Sequence, residues 1–260
     1  MVHLRGISLR SGQAYAKRFN LFHYQANNYS TANLLEHDLS QVKSFTELVL
    51  NVKQISPNVF MSDRLLKGRI SLEAPYGGQI LSHALHAGCS TVDEKFSVHS
   101  LHSYFIKSGT VARPIFYVVE RIRDGRSFCT RYVKAIQDEN IIFTAQMSFH
   151  KNEPDSISHQ VDFPKNLPQP ETLPDSKQTI EEALKNESDA LSPLHHKILK
   201  VRKRELSPIF HRLLQTKLLA PDIWTFRKLA SQDEIPQYHV WVKASESLGK
   251  LLLNKILTCI

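Results

Sequence analysis

Hydrophobic positions follow two different periods between about Phe45 and His150. The stretch "FTELVLNV" (45–52) predicts a strand, while the apolar residues of "ILSHALHAG" (80–88) recur at helical spacing. Four later runs are rich in β-branched and aromatic residues and predict strands: "SVHSLHSYFI", "RPIFYVVERIR", "RSFCTRYVKAIQ" and "NIIFTAQMSFH". A strand, a helix and an antiparallel meander define an α+β fold class, in which one sheet wraps around a single central helix.

Short turn signals separate the strands of the meander. Asp-Gly within "RDGR" (123–126) supplies the positive φ that a tight hairpin needs. The polar stretch "QDEN" (137–140) predicts the next turn.

The composition changes at residue 153. Residues 153–237 hold nine of the twelve prolines and no glycine, which favours extended connections over tight turns. We interpret them as a long linker that wraps the first domain, interrupted by a charged helix around "TIEEALKNESDAL". The stretch "YHVWVKA" (238–244) predicts one more strand, and an apolar tail follows it. The predicted organisation is an N-terminal extension (1–44), a first domain (45–152), the linker (153–237) and a final segment (238–260).

The N-terminal extension is basic and free of acidic residues as far as Leu35. Four cations alternate there with apolar residues and serines, at Arg5, Arg10, Lys17 and Arg18. This pattern is typical of a mitochondrial presequence, and a disordered basic tail is the alternative. The last three residues do not form the peroxisomal Ser-Lys-Leu signal. We therefore expect the mitochondrial matrix.

The amino-acid composition argues against several classes of protein. The 260 residues are 42% hydrophobic, which suffices for a substantial core, and no apolar run reaches the roughly 18 residues of a membrane span. The three cysteines (Cys89, Cys129 and Cys259) are too few and too scattered for a disulfide framework or a zinc site. We expect no metal and no cofactor. The net charge of +8 favours an anionic partner, which could be nucleic acid, an acidic membrane surface or a phosphate-bearing small molecule.

The start of the predicted helix is the first candidate binding site. Gly77, Gly78 and Gln79 precede the apolar run, and glycines are costly inside a helix. At a helix start they would let a ligand reach unpaired backbone N–H groups and the positive end of the helix dipole. The alternative is that the glycines only permit a tight turn against the sheet.

A basic hairpin is the second candidate site. Arg121 and Arg126, together with Arg123, Arg131 and Lys134, lie on adjoining strands where their charges can converge on a phosphate. A solvated hairpin face is the alternative. A second basic run, "HHKILKVRKRE" (195–205), lacks the aromatic context of a nucleic-acid site, so we interpret it as a solvated face of the linker and expect no nucleic-acid partner.

Three stretches together resemble one known family. They are "APYGGQILSHALHAG", the run from "VHSLHSYFIKSG" through "RIRDGRSFCTRYVK" to "TAQMSF", and "YHVWVKA". They are similar to the type II acyl-CoA thioesterases, the bacterial and peroxisomal double-hotdog family, closely over about Phe45 to Phe149 and more weakly as far as Ala244. The resemblance implies two fused hotdog domains, each a sheet around a helix, and hydrolysis of fatty acyl-CoA to free fatty acid and CoA. It also makes the peroxisomal matrix the alternative compartment.

The resemblance does not extend to the family's catalytic residues. The family's catalytic Asp, Ser or Thr, and Gln lie in the second hotdog, whereas this sequence follows "YHVWVKA" with "SESLGKLLLNKILTCI". No residue here matches those three positions, so we assign no catalytic residue, and Gln79 belongs to the motif of the first domain. We expect a second hotdog that is incomplete at its C-terminal side. The alternative function is a non-catalytic acyl-CoA-binding or interfering form, and two chains could associate through their first domains.

Overall fold

A six-stranded antiparallel sheet forms the first domain. The computed structural model describes residues 44, 47, 52–69, 71–154, 156–185, 192–205, 214–225 and 239–245. The strands are β1 (Lys53–Ser56), β2 (Val59–Ser62), β3 (Phe96–Phe105), β4 (Ile115–Asp124), β5 (Phe128–Gln137) and β6 (Asn140–Lys151). One helix, α1 (Gly77–Cys89), lies between β2 and β3 in the chain. The strand order in the sheet is β1-β2-β4-β5-β6-β3, so the chain crosses the sheet through α1 and places β3 at the far edge.

The predicted helix, the four strands of the meander and the positions of both turns are confirmed, but neither Asp124 nor Gly125 has the left-handed φ predicted for the β4–β5 hairpin. The β4–β5 hairpin closes with the N–H of Gly125 donating to the carbonyl of Phe128 at 2.9 Å. Asp138 and Glu139 form the β5–β6 turn with φ values of 47° and 65°. Two consecutive positive φ values are the signature of a hairpin turn whose twist matches that of its strands.

The strand predicted over residues 45–52 lies mostly outside the described residues. Of the two residues described there, Glu47 is helical and Val52 precedes the first strand, so neither belongs to a strand. The sheet begins instead with the short pair β1 and β2, which turns at Asn58 with a φ of 60°. Strands of four residues are too short to show a clear period in the sequence.

Helix α1 packs its apolar face onto the sheet. Ile80, Ala84 and Leu85 are buried among inward-facing side chains of the central strands. Near the C-terminal end, a Cβ atom at Gly88 would lie 2.7 Å from the sulfur of the fully buried Met147. Glycine at this position therefore permits the close approach of helix and sheet.

A buried arginine connects the C-terminal end of α1 to the β4–β5 hairpin. The side chain of Arg131 is 1% exposed, and its Nε and Nη2 donate to Thr91 Oγ1 (2.8 Å) and to the Thr91 carbonyl (3.1 Å). Its Nη1 donates to the carbonyl of Arg123 at 3.0 Å, and its Nη2 pairs with the carboxylate of Asp124 at 2.5 Å. A buried charge needs such partners. The prediction that Arg131 belongs to an open basic face is therefore wrong.

The region after residue 153 contains more regular structure than the sequence indicates. It comprises α2 (Ser176–Lys185), α3 (Pro193–Glu205), β7 (Leu214–Leu218), the short helix α4 (Pro221–Trp224) and β8 (Val240–Ala244). The predicted charged helix corresponds to α2, and the predicted strand at 238–244 to β8. Within the predicted linker, β7 was missed, although it pairs with β8 in a separate antiparallel ladder. The presequence prediction and the apolar tail lie outside the described residues.

The first prediction concerns the buried arginine. Arg131→Leu should lower the free energy of unfolding by about 3 kcal/mol, because the apolar side chain leaves part-buried carbonyls and the Thr91 hydroxyl without their donor. The measurement is urea unfolding of the purified chain. Arg113→Leu is the matched control: its guanidinium is half exposed and pairs with Asp138 at 2.7 Å, so a change within about 1 kcal/mol is expected. Equal losses in the two variants would contradict the structural role of Arg131.

The same network predicts a dependence on pH. The hydrogen bond from Arg131 holds the pKa of the Asp124 carboxyl below its usual value, and the charge of Arg131 adds to this effect. A lowered native pKa stabilises the fold above the unfolded-state pKa of about 3.9, and this contribution is lost as the pH falls through the native pKa. The stability difference between the wild-type chain and Asp124→Asn should therefore stay constant from pH 7 to about 5 and shrink below about pH 4.

Candidate functional site

The N-terminal end of α1 offers open backbone donors. Tyr76 precedes the helix in an extended conformation, and no side-chain hydrogen bond caps the helix. The N–H groups of Gln79 and Ile80 donate to the carbonyl of Tyr76 at 3.0 and 3.2 Å. Those of Gly77 and Gly78 donate to no residue that the structure describes. Two adjacent N–H groups at the positive end of a helix dipole can stabilise negative charge on a substrate oxygen.

Aromatic rings occupy the space beside both glycines. A Cβ atom at Gly77 would lie 3.0 Å from the ring of Phe105, and one at Gly78 would lie 2.6 Å from the ring of Tyr76. Both rings are partly exposed and form an apolar surface beside the two glycines. The predicted glycines are thus at the first turn of the helix, and bulkier residues there would displace the rings. An apolar surface next to unpaired donors suits a substrate with a polar head and a hydrocarbon chain.

Gln79 is buried and braces the loop in front of the helix. Its Oε1 accepts a hydrogen bond from the N–H of Leu66 at 2.8 Å, and its Nε2 donates to the carbonyl of Arg64 at 3.0 Å. The carbonyl of Leu66 in turn accepts from the N–H of Tyr76 at 2.6 Å. The side-chain amide of Gln79 therefore positions the residues around the site, and a direct contact between Gln79 and substrate stays a prediction.

The basic hairpin lies away from these donors. Arg121 is half exposed, with its Nε 3.2 Å from Asn58 Oδ1 and its Nη1 3.9 Å from Asp124, and Arg126 is exposed at the turn. Arg131 ties this hairpin to Thr91, just beyond the C-terminal end of α1. The 13-residue helix spans about 20 Å, so the two groups of predicted residues lie near its opposite ends. The structure does not bring Arg121 and Arg126 together with Gly77, Gly78 and Gln79 in one chain.

A buried histidine of α1 meets a buried tyrosine of β4. His83 Nδ1 is 3.3 Å from the hydroxyl of Tyr117, and the two rings meet edge to face at 5.7 Å. Both side chains are fully buried, and burial raises the pKa of Tyr117 far above its usual value. The tyrosine is therefore neutral in the native protein. No group of three His, Cys, Asp or Glu side chains in the described part of the chain is arranged to hold a metal ion.

No helix in the described part of the chain is long and apolar enough to cross a membrane.

Comparisons with known proteins identify the class of this domain. Residues 67–150 match the family model of the acyl-CoA thioesterase N-terminal domain. The solved structure of the acyl-CoA thioesterase II TesB2 from Mycobacterium marinum is 26% identical with a TM-score of 0.56, covering 79% of this chain and 62% of that one. A conserved protein with a hot dog fold from Alicyclobacillus acidocaldarius shares the fold at 15% identity and a TM-score of 0.50, covering 77% of this chain and 62% of that one. The α+β domain is a hotdog fold.

Curated relatives give the family. Mouse acyl-coenzyme A thioesterase 8 is 38% identical over 54% of this chain and 43% of its own length, and the rat protein of the same name is 32% identical over 86% and 65%. The yeast peroxisomal acyl-coenzyme A thioester hydrolase 1 is 35% identical over 45% of this chain and 35% of its own length. The hotdog domain of this chain is therefore similar to that of acyl-CoA thioesterases, both in the family model and in these relatives. It spans less than half the length of the mouse relative.

The second prediction tests the bracing role of Gln79. Gln79→Leu should lower the free energy of unfolding by about 2–4 kcal/mol, because it leaves the buried N–H of Leu66 and the part-buried carbonyl of Arg64 without their partner. Thermal and urea unfolding measure the effect. Gln146→Leu is the control, because Gln146 lies on the exposed face of β6 and the same chemical change there should cost less than about 0.5 kcal/mol. A Gln79 variant as stable as the control would contradict the bracing role.

Proposed function

We propose that this chain binds fatty acyl-CoA with the thioester carbonyl at the N-terminal end of α1 and takes part in its hydrolysis to free fatty acid and CoA. The observation that carries the proposal is the pair of open N–H groups of Gly77 and Gly78, within the residues that match the thioesterase family model. The partly exposed rings of Tyr76 and Phe105 beside these donors would lie along the acyl chain.

The proposed reaction needs hydrogen-bond donors for the carbonyl oxygen and a general base for the attacking water. The oxygen of water forms a bond to the thioester carbon, the carbon–sulfur bond breaks, and the CoA thiolate takes up the proton that the water loses. Negative charge develops on the carbonyl oxygen, where each fixed N–H donor is worth about 3 kcal/mol of transition-state stabilisation. Activation of the water needs a general base, and we assign that role to no residue of this chain.

The second candidate function is binding of acyl-CoA without hydrolysis. The open donors favour it, because they stabilise a substrate oxygen whether or not a base is present. Association of two chains belongs to the same proposal, since β3 is an edge strand whose outer side pairs with no strand that the structure describes.

The third prediction separates these functions with the full chain. Gly77 is the first residue of α1, where proline fits the helix but lacks an N–H group. Gly77→Pro should lower kcat/KM for a long-chain acyl-CoA about 100-fold relative to Gly77→Ala, which adds a similar Cβ atom but keeps the donor. Equal activities of the two variants would contradict the role of the helix end.

The wild-type chain separates the two candidate functions. Hydrolysis at the background rate together with saturable acyl-CoA binding supports the second candidate, and a chain that neither hydrolyses nor binds acyl-CoA contradicts both candidates. Sedimentation of the same preparation as a monomer would contradict association.

The sequence-based assignment of Arg121 and Arg126 to the phosphates of CoA stays a prediction. The hairpin lies at the C-terminal end of α1, away from the open donors. Arg121 and Arg126 would therefore contact a substrate that is bound mainly by a second copy of the chain, not a substrate bound at the N-terminal end of their own α1. Charge reversal at Arg126 tests this, and weaker CoA binding is the expected result.

The fourth prediction concerns the compartment. We infer the mitochondrial matrix from the acid-free basic residues 1–35, and the alternative is the peroxisome, which the name of the yeast relative supports. A fluorescent protein fused behind residues 1–35 should accumulate in mitochondria, whereas the same fusion with its four cations replaced by glutamine should not. Diffuse fluorescence of the unaltered fusion would contradict the mitochondrial assignment.

A further inference from the structure

A cleft lies between α3 and the loop that leads to α1. Its volume is about 570 Å³, within the range of roughly 300–1,000 Å³ that small-molecule sites occupy. Its walls are mainly apolar, from Leu194, Ile198 and Val201 on the helix and from Trp224. The loop side is formed by Gly68 and Arg69.

The cleft carries an excess of positive charge. Arg69, Lys197 and Arg202 line it, and neither Arg69 nor Lys197 forms an ion pair with any residue that the structure describes. Glu205 is the one carboxylate in the lining, and its Oε2 accepts hydrogen bonds from the N–H (3.1 Å) and hydroxyl (2.5 Å) of Ser71. These bonds hold the pKa of Glu205 below its usual value. The carboxylate is therefore occupied, while two cations remain available to a ligand.

An aromatic wall adds a second kind of recognition. The guanidinium carbon of Arg202 lies 4.8 Å from the centre of the Trp224 ring, and its Nη1 donates to the Trp224 carbonyl at 2.9 Å. These contacts hold the indole in place. An indole that lines the cleft together with aliphatic side chains suits a flat, aromatic group such as a purine, and several cations suit a ligand with several negative charges. A fatty acid has one charge and no ring, so it uses fewer of these features.

The basic run of α3 is arranged to serve this cleft. The residues of α3 that line it recur every three or four positions, at 194, 197, 198, 201, 202 and 205. They therefore form one face of the helix. Lys200 and Lys203 lie off this face, and Lys203 is 3.4 Å from Glu181. Lys197 is exposed, in agreement with the interpretation of "HHKILKVRKRE" as a solvated face, whereas Arg202 is partly buried against Trp224.

The cleft adjoins the N-terminal end of α1. The N–H of Gly68 donates to the carbonyl of Ala74 at 3.1 Å, and a Cβ atom at Gly68 would lie 3.5 Å from the Cα of Tyr76. Tyr76 is the residue immediately before the open donors of α1. One wall of the cleft is therefore also the entrance to the proposed thioester site.

We propose that this cleft binds the phosphorylated adenosine end of coenzyme A. Arg69 and Lys197 contact the phosphates, and the purine lies between the Trp224 indole and the aliphatic side chains of α3. The inference rests on the proposed function, because the pantetheine arm of the same molecule would carry the thioester past Tyr76 to the end of α1.

The fifth prediction uses adenosine 3′,5′-bisphosphate, which has the ring and phosphates of CoA but no thioester. It should bind the purified full chain saturably in isothermal titration calorimetry. Lys197→Glu and Arg69→Glu should each weaken its binding about tenfold or more, because each replaces an attraction to phosphate by a repulsion. Lys200→Glu is the matched control: it makes the same change on the same helix outside the cleft, and its affinity should equal that of the wild type. Circular dichroism checks that each variant is folded.

Four results overturn the inference. They are absence of bisphosphate binding, equal affinities in Lys197→Glu and Lys200→Glu, displacement of acyl-CoA by laurate but not by the bisphosphate, and loss of bisphosphate binding in Arg126→Glu but not in Lys197→Glu. Acyl-CoA hydrolysis or binding that persists alongside any of them leaves the proposed function intact. Conversely, bisphosphate binding that depends on Lys197, in a chain that neither binds nor hydrolyses acyl-CoA, supports the cleft as a phosphoadenosine site and contradicts the proposed function.

Discussion

Two buried polar side chains, one near each end of α1, must find partners, and this requirement organises the domain. At the C-terminal end, Arg131 reaches from the middle of β5 to the carbonyl of Thr91 and to the β4–β5 hairpin. At the N-terminal end, Gln79 reaches backwards to the backbone of Arg64 and Leu66. Both side chains are almost completely buried, so their polar atoms need partners within the protein. The helix is thereby held in one position along the sheet, and Gly88 allows the close packing between these two ends.

The two ends of α1 differ in what they leave available. The C-terminal end is fully engaged with the hairpin, whereas the N-terminal end keeps the N–H groups of Gly77 and Gly78 open beside partly exposed rings. The side chain of Gln79 holds the surrounding loop in place without bonding to these N–H groups. The donors are therefore fixed in position and still open to a substrate. Fixed donors are effective in catalysis since they need little reorganisation when charge develops on a substrate.

Much of the first domain could be predicted from local patterns. Runs of β-branched and aromatic residues predicted the strands of the meander. The helical spacing of apolar residues after a glycine pair predicted α1. What failed depends on contacts between distant segments. Arg131 has the same local context as the exposed arginines of the hairpin, and only the packing of α1 shows that it is buried. Likewise, β7 was missed because its partner β8 lies more than twenty residues further along the chain. The cleft could not be predicted, since Arg69 and Lys197 are far apart in sequence.

The hydrogen bonds between Ser71 and Glu205 join the region after residue 153 to the loop before α1. That loop is a wall of the cleft and also leads into the open end of the helix, so the two places share one set of backbone atoms. A molecule that orders the loop from either side reduces the conformational entropy still to be lost at the other. By thermodynamic reciprocity, the two ends of a long ligand would then reinforce each other's binding, although they touch different parts of the protein.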